Sequence, residues 1–243
     1  MLVTITITAM MNHELCLSPL ALLRLQSWLS PAFPAGLYSY SHGLEWAVEA
    51  RYVYDRQSLV DWLESDLRHG SGRNEAIFFK EAWRSAADYE RLVEISELAA
   101  AFRGTSEFAL ESSQPAAACL AIFKKVWPDR TLELLAERLR ERQIPPALAV
   151  VLGVRVAAEG IPLSLALPAF LQSYVTNLVT AGVRLVPLGQ TDGQLAIAEL
   201  ERVVEAATAH AVGATISDLG SAGFMVDLAS MAHETQYTRL FRS

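Results

Sequence analysis

Apolar residues recur at helical spacing along most of the chain, and proline, glycine and capping residues separate the repeats. The apolar run from Leu20 to Leu29 predicts a helix that ends at Pro31, because proline cannot continue a helix. Positions 132, 135, 136 and 139 form an apolar stripe opposite charged residues, which is typical of an outer helix. The pattern gives about nine or ten helices and no shift in composition, so residues 1–243 are predicted to form a single all-α domain.

Turn and capping residues predict where the other helices begin and end. Asp55 is the expected N-cap of a helix that Gly70 and Gly72 end. Pro115 is expected to kink or divide the helix in which it lies. The further predicted helices span residues 41–48, 74–86, 88–103, 106–127, 146–160 and 192–210, with one or two more in 160–183.

The N-terminal segment has a different pattern, in which Val3, Ile5 and Ile7 alternate with threonines. Alternation of this kind predicts a short strand. Because no second strand is predicted to pair with it, the segment is expected to be an edge strand, a dimer contact, or an extension upstream of a start at Met10 or Met11. Residues 1–15 are therefore expected to form an extended or disordered extension of the helical domain, and residues 220–243 a C-terminal tail.

Charge and cysteine content narrow the class of protein. The formal net charge of −7 and the absence of a basic stripe argue against a nucleic-acid partner. Cys16 and Cys119 are too few and too isolated for a disulfide framework, which predicts a reduced, cytoplasmic setting. The N-terminus lacks the basic region and the cleavage site of a signal peptide.

The stretch from Gly160 to Val183 carries no ionised side chain and is long enough to cross a bilayer. Pro162 and Pro168 interrupt it, and polar residues such as Asn177 would need hydrogen-bond partners in lipid. A buried central helix is therefore favoured over a transmembrane one, and no membrane partner is expected.

Motifs for catalysis and metal binding are missing from the sequence. It contains no HExxH, GxSxG, P-loop or GxGxxG motif. His42 and Glu45 lie three positions apart, and so do Asp66 and His69. These pairs could help to bind a metal if they converged in the fold. No catalytic residue, cofactor or metal site is therefore expected, and the alternative is a helical metal-dependent hydrolase using His42, Glu45, Asp66, His69 and His210.

Three segments are unusually rich in aromatic and polar residues for this apolar chain. They are SPAFPAGLYSYSHGLEWAVEA at 30–50, VRLVPLGQTDGQ at 183–194 and VDLASMAHETQYTRLFRS at 226–243. Together, and in this order, they resemble the UreF family of urease accessory proteins over roughly residues 20–243. Leu37 and Ala232 depart from the family pattern, which often has glycine at the first position and a basic residue at the second.

The resemblance implies a helical, dimerising, non-catalytic scaffold in the cytoplasm. UreF-like proteins join the accessory protein UreD, also called UreH, and recruit the GTPase UreG. The assembly delivers Ni²⁺ to apo-urease, so the resemblance implies these three partners. It implies no essential metal or cofactor on the scaffold itself.

Arginine and tyrosine often anchor protein interfaces; the first segment contains two tyrosines, and the third contains one tyrosine and two arginines. We therefore expect the C-terminal tail to fold back beside the loop at 38–45, so that the two form one partner surface. Arg184 and Gln190 are expected to organise the turn between two core helices. The predicted partner-binding residues are Tyr38, Tyr40, Glu45, Tyr237, Arg239 and Arg242.

Overall fold

The structure, a computed structural model, describes residues 17–242. These residues form eleven α-helices and two short 3₁₀ turns, with no β-strand among them. The helices are α1 (Pro19–Leu29), α2 (Leu44–Glu49), α3 (Arg56–His69), α4 (Ser71–Arg84), α5 (Tyr89–Ala101), α6 (Ser106–Val126), α7 (Arg130–Glu141), α8 (Leu148–Ala158), α9 (Leu163–Leu185), α10 (Gln190–Gly213) and α11 (Phe224–His233), and the 3₁₀ turns are Leu37–Ser39 and Ile216–Asp218.

The all-α prediction is confirmed for the described residues, although the expected count of nine or ten helices is too low. A separate helix, α11, forms within the segment expected to be a tail, because its apolar residues pack on α2 and α6. The strand predicted from Val3, Ile5 and Ile7 lies outside the described residues, as do residues 1–15 as a whole.

Side-chain caps begin several helices where the sequence predicts them. Asp55 caps α3, and its Oδ1 accepts a hydrogen bond from the amide of Ser58 at 2.8 Å. Asp88 caps α5 in the same way, accepting from the amide of Arg91 at 3.1 Å. These caps satisfy amide groups that a helix start otherwise leaves without partners.

One predicted helix boundary is wrong. Gly72 does not end α3 but lies in the first turn of α4, where its amide donates to Asp66 Oδ2 at 3.2 Å. Of the two effects expected of Pro115, a kink or a division, division does not occur: α6 runs unbroken from Ser106 to Val126 with the proline buried. Helix α6 packs against α8 along this stretch of the fold.

Helix α4 lies at the centre of the core, packed against α3, α8, α9 and α10. Its Phe79 stacks on Phe170 of α9, with ring centroids 4.7 Å apart. Gly153 lets α8 approach closely, because a Cβ there would lie 2.5 Å from the carbonyl oxygen of Phe79. Gly153 is therefore required for the close approach of α8 to α4.

The uncharged stretch at 160–183 forms most of the single helix α9, whose buried residues face the core. None of the helices described between residues 17 and 242 is long and apolar enough to span a bilayer.

Candidate partner-docking site at the C-terminal tail

The structure brings the C-terminal tail, residues 234–242, against the loop that precedes α2. The amide of Arg242 donates to the carbonyl oxygen of Ser39 at 2.8 Å. The amides of Leu240 and Phe241 donate to the two carboxylate oxygens of Glu45 at 2.6 and 2.9 Å. The tail is thus held through three successive backbone N–H groups.

Glu45 occupies this position because of the glycine two residues before it. Gly43 has φ +76°, a left-handed conformation that suits glycine, and it begins α2. A Cβ on Gly43 would lie 2.9 Å from the amide nitrogen of Ser230, so only glycine lets α11 pack this closely on α2. The Glu45 side chain is consequently buried between α2, α11 and the tail.

His233, the last residue of α11, is fully buried and connects two carboxylates. Its Nε2 lies 3.1 Å from Glu45 Oε2, and its Nδ1 lies 2.8 Å from Glu107 Oε1. His233 therefore bridges the two carboxyl groups through both of its ring nitrogens.

Glu107 lies in the first turn of α6 and completes this cluster. Burial raises the pKa of the Glu107 carboxyl, and the charges of His233 and Arg239 oppose that rise. Arg239 Nη1 lies 3.3 Å from Glu107 Oε1. We call Glu45, Glu107, His233 and Arg239, with the amides of Leu240 and Phe241, the tail clamp.

Neighbouring residues of the tail add further anchors. Glu234 accepts hydrogen bonds from the amide and the hydroxyl of Ser106 at 3.2 and 2.6 Å, at the N-terminus of α6. A carboxylate is stabilised there by the helix dipole. Gln236 Nε2 donates to Glu49 at 2.6 Å. The HETQ sequence at 233–236 therefore ties the end of α11 to both α2 and α6.

The predicted partner-binding residues divide into two groups by exposure. Tyr40 is 5% exposed, and its hydroxyl donates to Gln114 at 3.1 Å. Tyr40 and Glu45 therefore lie beneath the tail, which is a correction to their expected place on the partner surface. By contrast, Tyr38 is 63% exposed and Tyr237 is fully exposed. We call the outward-facing set the outer tail surface: Tyr38, Tyr237, Arg239, Leu240 and Arg242.

Arg184 also differs from its predicted role. Its guanidinium lies 4.5 Å above the ring of Phe241, and its Nη1 donates to the carbonyl oxygen of Tyr38 at 3.2 Å. The turn before α10 is closed instead by Asp192, which accepts from the amide of Gly189 at 3.1 Å. Gln190 is simply the exposed first residue of α10. Arg184 therefore supports the tail rather than the turn.

Helix α11 presents an apolar face next to the tail. Its large exposed residues lie at i, i+1, i+4 and i+7, so they share one side of the helix. We call this set the α11 stripe: Phe224, Met225, Leu228 and Met231. Contiguous exposed apolar residues of this size commonly mark a contact site.

A second buried polar cluster surrounds His42. Its Nδ1 lies 3.0 Å from Glu111 Oε2 and its Nε2 lies 2.5 Å from the hydroxyl of Ser71. Asp66 Oδ1 is 3.8 Å from the same Nε2, and Asp66 Oδ2 accepts from the hydroxyl of Tyr174 at 2.7 Å. The cluster joins the loop before α2 to α3, α4, α6 and α9, and it lines a cavity of about 360 Å³.

The order Ser71, His42, Glu111 has the connectivity of a catalytic triad, but its protonation state is unsuitable. Burial alone would lower the pKa of His42, yet the carboxylates of Glu111 and Asp66 outweigh it and raise that pKa from 6.5 to about 10. At neutral pH the imidazole is therefore already charged and cannot accept a proton from Ser71.

The residues of the alternative hydrolase do not converge. His42 and Asp66 belong to one cluster, and Glu45 belongs to the tail clamp. His210 lies elsewhere, where its Nε2 accepts from Arg73 Nε at 3.0 Å in a groove that His69 also lines. No group of three or more His, Cys, Asp or Glu side chains within residues 17–242 is arranged to hold a metal ion. The hydrolase alternative is therefore not favoured.

Comparison with known proteins identifies the family. The UreF family model matches residues 53–201. A urease accessory protein UreF of Rhodopseudomonas palustris strain BisB5 is 48% identical over 225 residues, which cover 92% of this chain and 91% of the relative.

The chain belongs to the UreF family. Two further UreF relatives, from Bradyrhizobium diazoefficiens and Granulibacter bethesdensis, are each 46% identical over 92% of this chain and cover 92% and 94% of their own lengths. Membership of the UreF family confirms the resemblance carried by the three aromatic and polar segments. The match of the UreF family model begins after Glu45 and ends before His233, so Glu107 is the one side chain of the tail clamp that lies within it.

The role of Glu107 and His233 in this UreF-family chain is not predictable from the sequence. The available signals are a glutamate in the first turn of a capped helix and a histidine in an apolar helix end. Neither signal shows that the two residues meet across 126 positions.

Proposed function

We propose that this UreF-family chain is a non-catalytic scaffold of urease maturation. In this proposal it joins UreD/UreH, recruits the GTPase UreG and assists insertion of Ni²⁺ into apo-urease. It works in the cytoplasm as a homodimer and requires no cofactor of its own. Ni²⁺ is the cargo of the assembly.

The observation that supports this proposal best is the outer tail surface. A terminal segment is usually free to move unless contacts hold it. Here the backbone is clamped, while Tyr237 and Leu240 extend into solvent. Tyrosine and arginine are enriched among residues that dominate binding energy. A surface with this chemistry on a fixed segment suits protein docking better than catalysis.

The α11 stripe and the outer tail surface differ in chemistry, which suggests different partners. Long-lived interfaces are more hydrophobic than transient ones. We therefore assign the α11 stripe, with Phe224 and Leu228, to UreD/UreH. We assign the outer tail surface, which carries Arg239 and Arg242, to UreG.

Coupling to GTP hydrolysis has one thermodynamic requirement. The scaffold must bind one nucleotide state of UreG more tightly than the other, because a partner shifts an equilibrium only by its differential affinity. Titrating UreG loaded with GDP or with a non-hydrolysable GTP analogue onto the assembled scaffold measures that difference directly. Equal affinities would remove this part of the proposal.

Tyr237→Ala is the sharpest test of the docking surface, because that side chain is fully exposed. We expect the full-length variant to keep its melting temperature and its association with UreD, and to lose most co-purification with UreG. Tyr54→Ala is the matched control, since Tyr54 is 62% exposed and lies two positions before the start of α3. Normal recovery of UreG with both Tyr237→Ala and Leu240→Ala would contradict the proposal.

Metal analysis separates the proposal from the alternative hydrolase. The purified chain should contain no stoichiometric metal after dialysis against a weak chelator. Tightly held metal that disappears in a His42→Asn or His210→Asn variant would favour the alternative.

A further inference from the structure

The tail clamp holds the tail mainly through its main chain. One carboxylate, that of Glu45, accepts the amide hydrogens of Leu240 and Phe241 and a ring hydrogen of His233. Hydrogen bonds to an ionised acceptor are stronger than neutral ones. The loss of the Glu45 carboxylate would therefore remove both hydrogen bonds to the main chain of the tail, together with the one to His233.

His233 lies at the centre of the tail clamp. Glu45 and Glu107 are both buried, so each carboxyl group needs hydrogen-bond partners. The ring of His233 lies between the two carboxyl groups, and Arg239 approaches Glu107 from the solvent side. His233 thus joins α2 and α6 to the end of α11, immediately before the tail leaves that helix.

Groups on other elements add weaker support to the docked tail. On α9, Arg184 stacks on Phe241, and on α6, Gln114 accepts from Arg242 Nη1 at 3.3 Å. On α2, the exposed Glu49 accepts from Gln236. Exposed contacts of this kind contribute little individually. The buried bonds of Glu45 and His233 are therefore expected to decide whether the tail is docked.

We infer that Glu45 and His233 are positioning residues that set the fraction of molecules whose tail is docked. This inference rests on the proposed function, because the docked tail is what presents the outer tail surface to a partner. If only the docked state binds, the apparent dissociation constant equals the intrinsic one divided by the docked fraction. Partner affinity should then change in proportion to tail docking, although neither side chain touches the partner.

Hydrogen exchange at the amides of Leu240 and Phe241 measures tail docking without any partner. In full-length Glu45→Gln and His233→Gln, we expect both amides to exchange at least about tenfold faster than in the wild type. Glu64→Gln is the matched control, because Glu64 pairs with Arg68 on the exposed face of α3. It should leave exchange at both amides unchanged.

The same variants then test the effect on binding. The factor by which the dissociation constant for UreG rises should match the factor by which the docked fraction falls. Wild-type exchange in both Glu45→Gln and His233→Gln would overturn the inference. A docked fraction that falls several-fold with an unchanged dissociation constant would also overturn it, because docking would then be irrelevant to binding.

A pair of variants at Leu240 tests the tail clamp even if Glu45→Gln and His233→Gln fail to fold. Leu240→Pro removes the N–H that donates to Glu45 and leaves the buried charges intact, whereas Leu240→Ala keeps that N–H. Faster exchange at Phe241 is expected only with proline. Equal exchange in the two variants would count against the tail clamp.

The proposed function can fail separately from the inference. Tyr237→Ala should weaken UreG binding while both amides keep wild-type exchange rates, because its side chain is outside the tail clamp. Normal binding by Tyr237→Ala and Leu240→Ala would contradict the docking surface. The exchange measurements would still decide whether Glu45 and His233 hold the tail.

Discussion

His233 Nε2 lies 3.1 Å from Glu45 Oε2, although the two residues are 188 positions apart in the chain. This contact joins the end of the last helix to the start of α2 in the interior of the protein. It also places the tail beside the loop that contains Tyr38 and Tyr40. A change that undocks the tail is therefore expected to change the shape of the docking surface as well.

Arg239→Ala should affect binding more than stability. The Arg239 side chain is 41% exposed, so its pair with Glu107 is screened by solvent and contributes at most about 1 kcal/mol. As an interface anchor the same side chain would contribute about 2 kcal/mol or more. Calorimetric titration with UreG and thermal unfolding of the same samples compare the two effects. A large drop in melting temperature with unchanged affinity would assign Arg239 to the tail clamp alone.

Arg184→Ala should weaken UreG binding, because Arg184 contacts both Phe241 and the carbonyl of Tyr38. A cation–π contact of this kind contributes about 0.5–1 kcal/mol, which corresponds to a few-fold change in affinity. This outcome would differ from the sequence-based expectation that Arg184 organises the turn between two core helices. Gln190→Ala is the control and should change neither quantity. A stability loss without an affinity loss would restore the sequence-based assignment.

Gly43→Ala should destabilise the contact between α2 and α11. Both Gly43 and Gly36 have φ +76°, so alanine costs about 1–2 kcal/mol of backbone strain at either position. A Cβ at Gly43 would also lie 2.9 Å from Ser230 N, whereas a Cβ at Gly36 meets nothing within 4 Å. Chemical denaturation should therefore show a larger loss for Gly43→Ala than for Gly36→Ala. Equal losses would show that strain alone matters.

The stability difference between the wild type and His42→Asn should depend on pH. The folded-state pKa of His42, about 10, exceeds its ordinary value of 6.5, so its stabilising contribution is complete below 6.5 and is lost as pH rises towards 10. Burial raises the pKa of Asp66, but the hydrogen bond and the charge of His42 outweigh burial and lower that pKa. The stabilising contribution of the Asp66 carboxylate is therefore lost only as the pH falls into the acid range. Asparagine tolerates the positive φ of His42.

Urea unfolding of both proteins across this range measures the contribution. The wild type should be more stable than His42→Asn near pH 6.5, and the difference should narrow as pH approaches 10. A difference that stayed constant between these values would mean that His42 does not carry its charge in the folded protein.

Helix periodicity and local caps were sufficient to predict the all-α fold, because both depend on residues within a few positions of each other. Asp55 and Asp88 cap helices where expected. Pro115 shows the limit of this reasoning, since the proline left open whether α6 would be divided, and the helix continues through it within the packed core. Helix packing is a property of the whole fold and leaves no local signal.

The candidate site shows a similar division. Aromatic and arginine content pointed to the correct pair of segments, but it could not separate Tyr38 from Tyr40. These residues are two positions apart, yet one faces solvent and the other donates a hydrogen bond to Gln114. The tail clamp was even harder to predict from the sequence, because Glu107 contacts His233 only after α6 and α11 have packed.

Main-chain recognition of the tail separates its position from its surface chemistry. Since Glu45 bonds to the amides of Leu240 and Phe241, substitutions that alter only the outward side chain at position 240 need not dislodge the segment. A tail with other outward side chains should accordingly dock in the same place without redesign of the helical body.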